Sequence, residues 1–375
     1  MEHLRAPFLF FALAGAFGTA SLADAEILIG VPAPMTGGMS WIGEQGERGT
    51  ALAVADLNAA GGVLGEQVRA VIVDDFCEAD QAVAAARKLV AEGVVFVAGH
   101  LCSGASIPAS EVYAEAGILM ISPSSTNPTL TEQGFTNVFR VCGRDSLQGI
   151  MAGDYLAERW GDQDIAIVHD GQAYGKGIAE VALRRLNDRG VTEILFQAIK
   201  PGQADYAELV ETLQAEGIDA VYFGGYTSEA GLIVRQARSR GYDLQMIGSD
   251  ALITEYFWHV AGPAAVGVMF VSMADPRVNR EAGAIVERMR AEGYEPEGLT
   301  LYAYATVQVW AQAVEKAGTV EPKSVAAALR THEFDTVLGT IGFDGKGDVY
   351  GYEPFVWYVW QEGDYAPADP AKLTE

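Results

Sequence analysis

Short runs of β-branched and aromatic residues alternate along this chain with longer stretches whose apolar positions recur at helical spacing. The runs at 27–31, 68–73, 94–98, 119–122, 165–169, 194–198, 220–224, 246–248 and 268–271 predict strands. The stretches at 47–59, 81–91, 146–160, 177–187, 206–215 and 229–240 predict helices between them. Alternation of this kind predicts βαβ units, hence an α/β fold with parallel sheets. So many strands exceed what one compact doubly wound domain holds, which predicts two sheets and two lobes. The last third differs: 277–292 and 300–317 predict two long helices, 342–347 the tip of a hairpin, and 355–360 a further strand. No fixed-period repeat or low-complexity linker separates these parts, so the crossings between lobes are expected to be short.

The N-terminus stands apart from this pattern. Arg5 precedes an apolar stretch from Phe8 to Phe17, followed by small residues that offer Ala23-x-Ala25 as a cleavage site. This predicts a secretory signal peptide over residues 1–25, with cleavage after Ala23 as the alternative site. The apolar stretch is shorter than the roughly 20 residues of a membrane span, which disfavours a retained anchor. No later segment holds 18 uninterrupted apolar residues, so a soluble protein without membrane insertion is expected in an oxidising compartment.

Export gives the three cysteines meaning. Cys77 and Cys102 each follow a strand-like run and open a polar loop. A bridge between them would clamp two loops at the carboxyl ends of parallel strands, where open α/β sheets place ligands. Three ordinary buried thiols are the other reading, and Cys142 is left over in either case. The formal net charge is −25, nearly all of it beyond residue 25 and spread along the chain. That excludes nucleic acid and anionic membrane surfaces as natural partners.

Several catalytic signatures are incomplete. Gly175-Lys176-Gly177 opens a helix after a strand, but Glu180 stands where a dinucleotide fingerprint needs its third glycine. Asp344-Gly345-Lys346-Gly347-Asp348 begins like a calcium loop, yet Lys346 occupies a ligand position and no glutamate closes it. His100 lies three residues before Ser103, but no Gly-x-Ser-x-Gly elbow exists, and a packed histidine is the simpler reading. Neither metal-ligand spacing nor a cofactor motif is found, so no enzyme, metal or cofactor is expected.

What remains lies at strand ends. Ser103 follows one strand and the polar run from Ser122 to Pro128 follows the next. Such hydroxyls and free amides near helix N-termini suit a carboxylate, although capping alone also explains them. On the other side Tyr174, Tyr226 and Asp250 follow successive strands, and a carboxylate flanked by tyrosines suits an ammonium. Together they describe a receptor for a zwitterion.

The segments Pro34-Met35-Thr36-Gly37, Asp74-Asp75-Phe76-Cys77, Gly99-His100-Leu101-Cys102-Ser103, Ile118-Leu119-Met120-Ile121-Ser122-Pro123 and Tyr222-Phe223-Gly224-Gly225-Tyr226 resemble the periplasmic branched-chain amino acid binding proteins, type I solute-binding receptors of ABC transporters. The resemblance extends over nearly the whole chain after residue 25. It implies two lobes, each a parallel sheet sandwiched by helices, joined by a three-crossing hinge. One lobe would comprise 26–144 with 275–353, the other 145–274 with 354–375. It implies a Cys77–Cys102 disulfide, and a free Leu/Ile/Val-type amino acid as ligand, bound between closing lobes. Inner-membrane permease subunits would be the partners of a periplasmic monomer. Ser103, Thr126 and the backbone at Ser124 would hold the ligand carboxylate, Tyr174 and Tyr226 would come from the other lobe, and Asp250 would face the ammonium. Two positions depart from the family pattern: Asp250 stands where glutamate is more frequent, and Ile42 where the side-chain pocket has an aromatic, with Trp41 beside it.

Overall fold

The computed structural model describes residues 26–370, so the expected signal peptide lies outside the described residues. Strands β1 (Glu26–Ala33), β2 (Gln67–Asp74), β3 (Phe96–Ala98), β4 (Leu119–Ser122) and β5 (Val138–Arg140) form one sheet in the order β2-β1-β3-β4-β5, with every pairing parallel. Helices α1 (Ser40–Ala59), α2 (Ala79–Glu92), α3 (Ser103–Ala116) and the short α4 (Thr129–Glu132) alternate with these strands. Helix α5 (Asp145–Trp160) then leads into a second set: β6 (Ile165–His169), α6 (Ala173–Asp188), β7 (Leu195–Ala198), α7 (Ala207–Ala215), β8 (Ala220–Gly224), α8 (Thr227–Ser239), β9 (Gln245–Gly248), α9 (Glu255–Ala261) and β10 (Met269–Ser272). The chain returns to the first lobe through α10 (Gly283–Ala291), α11 (Thr300–Ala317) and α12 (Pro322–Thr331). There β11 (Phe334–Thr336), β12 (Gly339–Phe343) and β13 (Val349–Tyr350) make a small antiparallel sheet. Strands β14 (Val356–Trp360) and β15 (Tyr365–Pro367) complete the second large sheet, ordered β15-β14-β10-β9-β8-β6-β7. Its parallel core thus ends in two antiparallel strands, β14 on β10 and β15 on β14.

Burial explains why periodicity found the strands. All residues of β4, β6 and β8 are buried, as parallel strands covered by helices on both faces must be, and they read as continuous apolar runs. The edge strand β7 alternates half-buried and exposed positions. Helix α11 carries Trp310, fully buried and stacked on Phe96 of β3 at 5.0 Å.

The structure corrects several boundaries. Helix α1 begins at Ser40, not at residue 47, and Gly43, Gly46 and Gly49 are packing positions within it. A Cβ at Gly43 would meet the Pro34 carbonyl oxygen at 2.2 Å, one at Gly46 the Leu101 side chain at 2.7 Å, and one at Gly49 the Thr300 carbonyl oxygen at 2.0 Å. The helix expected over 277–292 is broken into 3-10 turns at Pro276–Val278 and Arg280–Ala282 before α10, with Asp275 capping the first of them by accepting from Arg277 N. Helix α3 escaped the periodicity because its Ser, Gly and Ala residues and the internal Pro108 carry little amphipathic signal. Strand β5 and helix α12 were also not foreseen.

Candidate functional site

The carboxyl ends of both sheets face one cleft. Helix α3 starts there directly after the strand β3 loop, with Cys102 at its N-cap position and Ser103 as its first residue. Cys102 is disulfide-bonded to Cys77 in the loop after β2, with the Cα atoms 5.5 Å apart, and Cys142 is the remaining buried thiol. Phe76 and Cys77 adopt positive φ angles, +54° and +61°, in that tight loop. The Asp74 and Asp75 carboxylates fix it by accepting from the Phe76 and Cys77 amides at 3.0 and 2.9 Å.

A pocket lies between the two sheets. Its polar wall is made of Ser103, Ser124, Tyr174, Tyr226 and Asp250, and its apolar wall includes Trp41, Ile42, Leu101, Ile253, Met273 and Leu299. Seven of the eight residues singled out for a ligand therefore line one space. Thr126 is the exception: it is fully buried behind the wall, and its Oγ1 has no hydrogen-bond partner. The apolar contributions of Leu101, Ile253, Met273 and Leu299 were not foreseen, since isolated apolar residues in loops look like core. Gln45 was also missed. It sits one turn after Ile42 on α1, lines the pocket, and its Oε1 accepts from Leu299 N at 3.1 Å.

Tyr174 stands in the first turn of α6 and donates through Oη to Asp250 Oδ1 at 2.5 Å, with Ser249 Oγ at 2.8 Å. Asp250 opens the 3-10 turn Asp250–Leu252 after β9, and its Oδ1 also accepts from Gln148 Nε2 at 2.9 Å. Its carboxylate thus faces side chains rather than capping a helix; Thr254 caps α9. Burial pushes the Asp250 carboxyl above the ordinary range, against the opposing effect of the Tyr174 and Gln148 hydrogen bonds. Burial, reinforced by the Asp250 charge, pushes the Tyr174 phenol well up, so Tyr174 is a neutral donor. The Tyr174 and Tyr226 rings lie 5.1 Å apart, and Tyr226 Oη is 3.9 Å from Cys77 Sγ, a disulfide sulfur that can only accept. On the other wall Ser103 Oγ accepts from Asn127 N at 3.2 Å and Ser124 Oγ donates to the Leu101 carbonyl at 2.8 Å.

Contacts across the cleft hold the lobes together. Asn127 Nδ2 donates to the Ala173 carbonyl at 2.6 Å. Trp41 of α1 stacks on Tyr256 of α9 at 5.7 Å and 20°. Glu297 accepts from Thr254 Oγ1 and Glu255 N, both at 2.8 Å, at the N-terminus of α9. The glycines of Gly175-Lys176-Gly177 serve close approach: a Cβ at Gly175 would meet Asp170 Oδ1 and the Gly224 carbonyl oxygen at 2.4 Å.

His100 is fully buried, with Nδ1 2.6 Å from Asp75 Oδ2 and Nε2 3.0 Å from Tyr113 Oη. Both ring nitrogens are engaged away from Ser103, as the packed reading expected. The Asp344 carboxylate accepts from the amides of Lys346, Gly347 and Asp348 at 2.9, 3.0 and 2.9 Å, making a turn of the former calcium candidate. Among the described residues no group of three or more His, Cys, Asp or Glu could hold a metal ion, and no helix is long and apolar enough to cross a membrane.

The architecture and the amino-acid pattern agree with a single family, whose description, periplasmic binding protein, matches residues 26–361. The chain belongs to the periplasmic binding protein family. Among relatives, it is 43% identical over 350 residues to the Leu/Ile/Val-binding protein homolog 2 of Brucella abortus, covering 93% of this chain and 94% of that one. It is 38% identical over 362 residues to a leucine-, isoleucine-, valine-, threonine-, and alanine-binding protein of Pseudomonas aeruginosa, covering 96% of each. Its structure is similar to that of a leucine binding protein of Thermotoga maritima, with a TM-score of 0.83, 27% identity and coverage of 92% and 98%. A branched-chain amino acid transporter substrate binding protein of Streptococcus pneumoniae in complex with isoleucine gives a TM-score of 0.80, 27% identity and coverage of 92% and 100%. Periplasmic binding proteins of this family are substrate-binding proteins, and the two-sheet type I architecture expected from the sequence is the one found.

Proposed function

We propose that this protein is the substrate-binding receptor of an ABC importer, taking a branched-chain or similarly small aliphatic amino acid into the cleft and closing over it. The observation that carries this reading is the two-walled pocket. The Ser103 hydroxyl at the N-terminus of α3 and Ser124 after β4 share it with a buried carboxylate and two tyrosines, and apolar side chains line the rest. Ser103 and the Ser124 backbone would take the ligand carboxylate, Asp250 its ammonium, and Trp41 and Ile42 its side chain, with Thr126 behind the wall and out of this set. The lobes would be 26–144 with 275–353 and 145–274 with 354–375, and closure about their crossings would bury the ligand. The mature chain would begin near Ala25, act as a monomer in the periplasm, and deliver its ligand to inner-membrane permease subunits without catalysing a reaction.

A second reading keeps the fold and changes the ligand. It is favoured by Asp250 itself, one methylene shorter than the glutamate more frequent there, and by the breadth of ligands named for the Pseudomonas relative. Thermal-shift screening followed by calorimetry against the amino acids, short amides and sugars separates the two. Leucine, isoleucine or valine should give the largest rise in Tm. Asp250→Ala should then weaken binding by about 2–5 kcal/mol, since the ammonium loses its counter-charge in a closed cleft. Wild-type affinity in that variant would remove Asp250 from the site, and silence of every amino acid would overturn the receptor reading.

A further inference from the structure

Behind Asp250 lies a second carboxylate for which the binding site so far has no use. Asp145 is the first residue of α5 and fully buried, and its carboxylate makes no hydrogen bond of ordinary geometry, although the Thr126 hydroxyl lies near enough to act on it. Gln148, one turn further along the same helix, donates to Asp250 Oδ1 at 2.9 Å, so α5 presents both residues toward Asp250. Gln148 Oε1 and Tyr222 Oη are also buried without a hydrogen bond. Buried polar atoms left unpaired need a donor, which a positive charge, a proton or a buried water supplies.

The nearby cations are already committed. Arg140 donates to Asp348 Oδ1 at 2.7 Å, to the Ser125 and Asn127 carbonyls and to Thr131 Oγ1. Arg144 pairs with Asp348 Oδ2 at 2.7 Å and Glu132 Oε1 at 2.5 Å. Lys346 adds a third cation at the edge of that network, 3.4 Å from Glu132 Oε1, and none of the three donates a hydrogen bond to Asp145 or Asp250, which leaves two buried acids without a hydrogen-bonded counter-ion. Two like charges so placed cannot both stay ionised without one.

We propose that Asp145 and Asp250 act as a pair that holds one positive charge at a time, a proton when the cleft is empty and the ammonium of the ligand when it is filled. Only Asp250 lines the pocket, so Asp145 is a positioning residue that acts through it. Binding of the ammonium ionises the pair, and the displaced proton passes to the buffer. Burial raises both acids and the Asp250 charge raises Asp145 further, while the Thr126 hydroxyl, Arg140 and Arg144 act the other way on Asp145, as the Tyr174 and Gln148 hydrogen bonds do on Asp250. The remaining titratable groups facing the pair are Tyr174, Tyr222, Tyr226 and Cys142, all pushed upward by burial and so silent in this range. Asp170, raised to about 6, does not line the pocket, but its charge acts on Tyr226, as does that of Asp75.

This inference rests on the receptor reading and sharpens it: the site selects a protonated amine. The test is calorimetry of the wild-type protein with leucine, in two buffers of different ionisation enthalpy, between about pH 5 and about pH 8. The enthalpies should differ by up to one proton per ligand. Affinity should weaken as pH falls, by up to tenfold per unit, because raised carboxyls are protonated first. Asp145→Asn should abolish the proton release and flatten the profile, whereas Asp170→Asn should keep both. Should Asp145→Asn fail to fold, Asp145→Ser takes its place. Wild-type binding with no buffer dependence, an Asp145 variant that retains the slope, or an Asp170 variant that loses it overturns the pair while the receptor reading stands. Failure of the wild type to bind any amino acid overturns both.

Discussion

The contacts of α9 with the opposite lobe set how tightly a ligand is held. Tyr256 stacks on Trp41 at 5.7 Å, and Glu297 accepts from Thr254 Oγ1 and Glu255 N at 2.8 Å each. All three α9-side positions lie within one turn, so they act as a clasp beside the pocket, which Trp41 also lines. An aromatic pair of this geometry is worth about 0.5–1.5 kcal/mol beyond its buried area. Removing it with Tyr256→Ala should lower the closed fraction, and hence the affinity, by about fivefold. In Glu297→Gln one acceptor oxygen remains while an amide NH2 faces the second donor. The loss of about 1–2 kcal/mol corresponds to a roughly 5- to 30-fold weaker Kd. Because the two contacts share α9, the double variant should lose less than the sum. Calorimetry gives Kd, stopped-flow tryptophan fluorescence gives the dissociation rate, and melting of the ligand-free proteins gives stability. Faster dissociation with nearly unchanged ligand-free Tm is the expected result. Unchanged Kd and dissociation rate in Tyr256→Ala would show that the clasp does not belong to the binding equilibrium.

Asp170 has one carboxylate oxygen buried without a partner and titrates near 6, raised by burial and then by the Glu229 charge. A raised carboxyl contributes stability below its unfolded value and loses it as pH rises through about 6, so Asp170→Asn should stabilise the protein by about 1–3 kcal/mol above pH 7. The gain should vanish on descent toward the ordinary carboxylate range in denaturant titrations; a gain independent of pH would contradict this. Reduction of the Cys77–Cys102 bridge, which spans 25 residues, should cost roughly 3.5 kcal/mol in the chain-entropy model. Melting with and without reductant measures it, and equal Tm values would argue against a stabilising role. Gly49→Ala places a Cβ 2.0 Å from the Thr300 carbonyl oxygen in the α1–α11 contact and should destabilise by about 1–3 kcal/mol, measured by urea unfolding.

The alternation of apolar runs was enough to determine the layered architecture, because a parallel strand covered on both faces must be apolar throughout, and β4, β6 and β8 are. The order of strands, the two antiparallel edges β14 and β15, and the return of α11 to pack on α1 are decided by contacts between distant segments. The site divides in the same way. Ser103, Tyr174, Tyr226 and Asp250 were legible because each follows a strand, and strand ends converge in this topology. Leu101, Met273 and Leu299 were not, since an apolar residue reads alike whether it faces a core or a ligand. The close packing of Gly43, Gly46 and Gly49 against Pro34, Leu101 and Thr300 is likewise visible only in the folded chain. Asp145 is the sharpest case. At the start of a helix its carboxylate is an ordinary residue by every sequence rule, and only the folded chain buries it where its charge and that of Asp250 oppose each other.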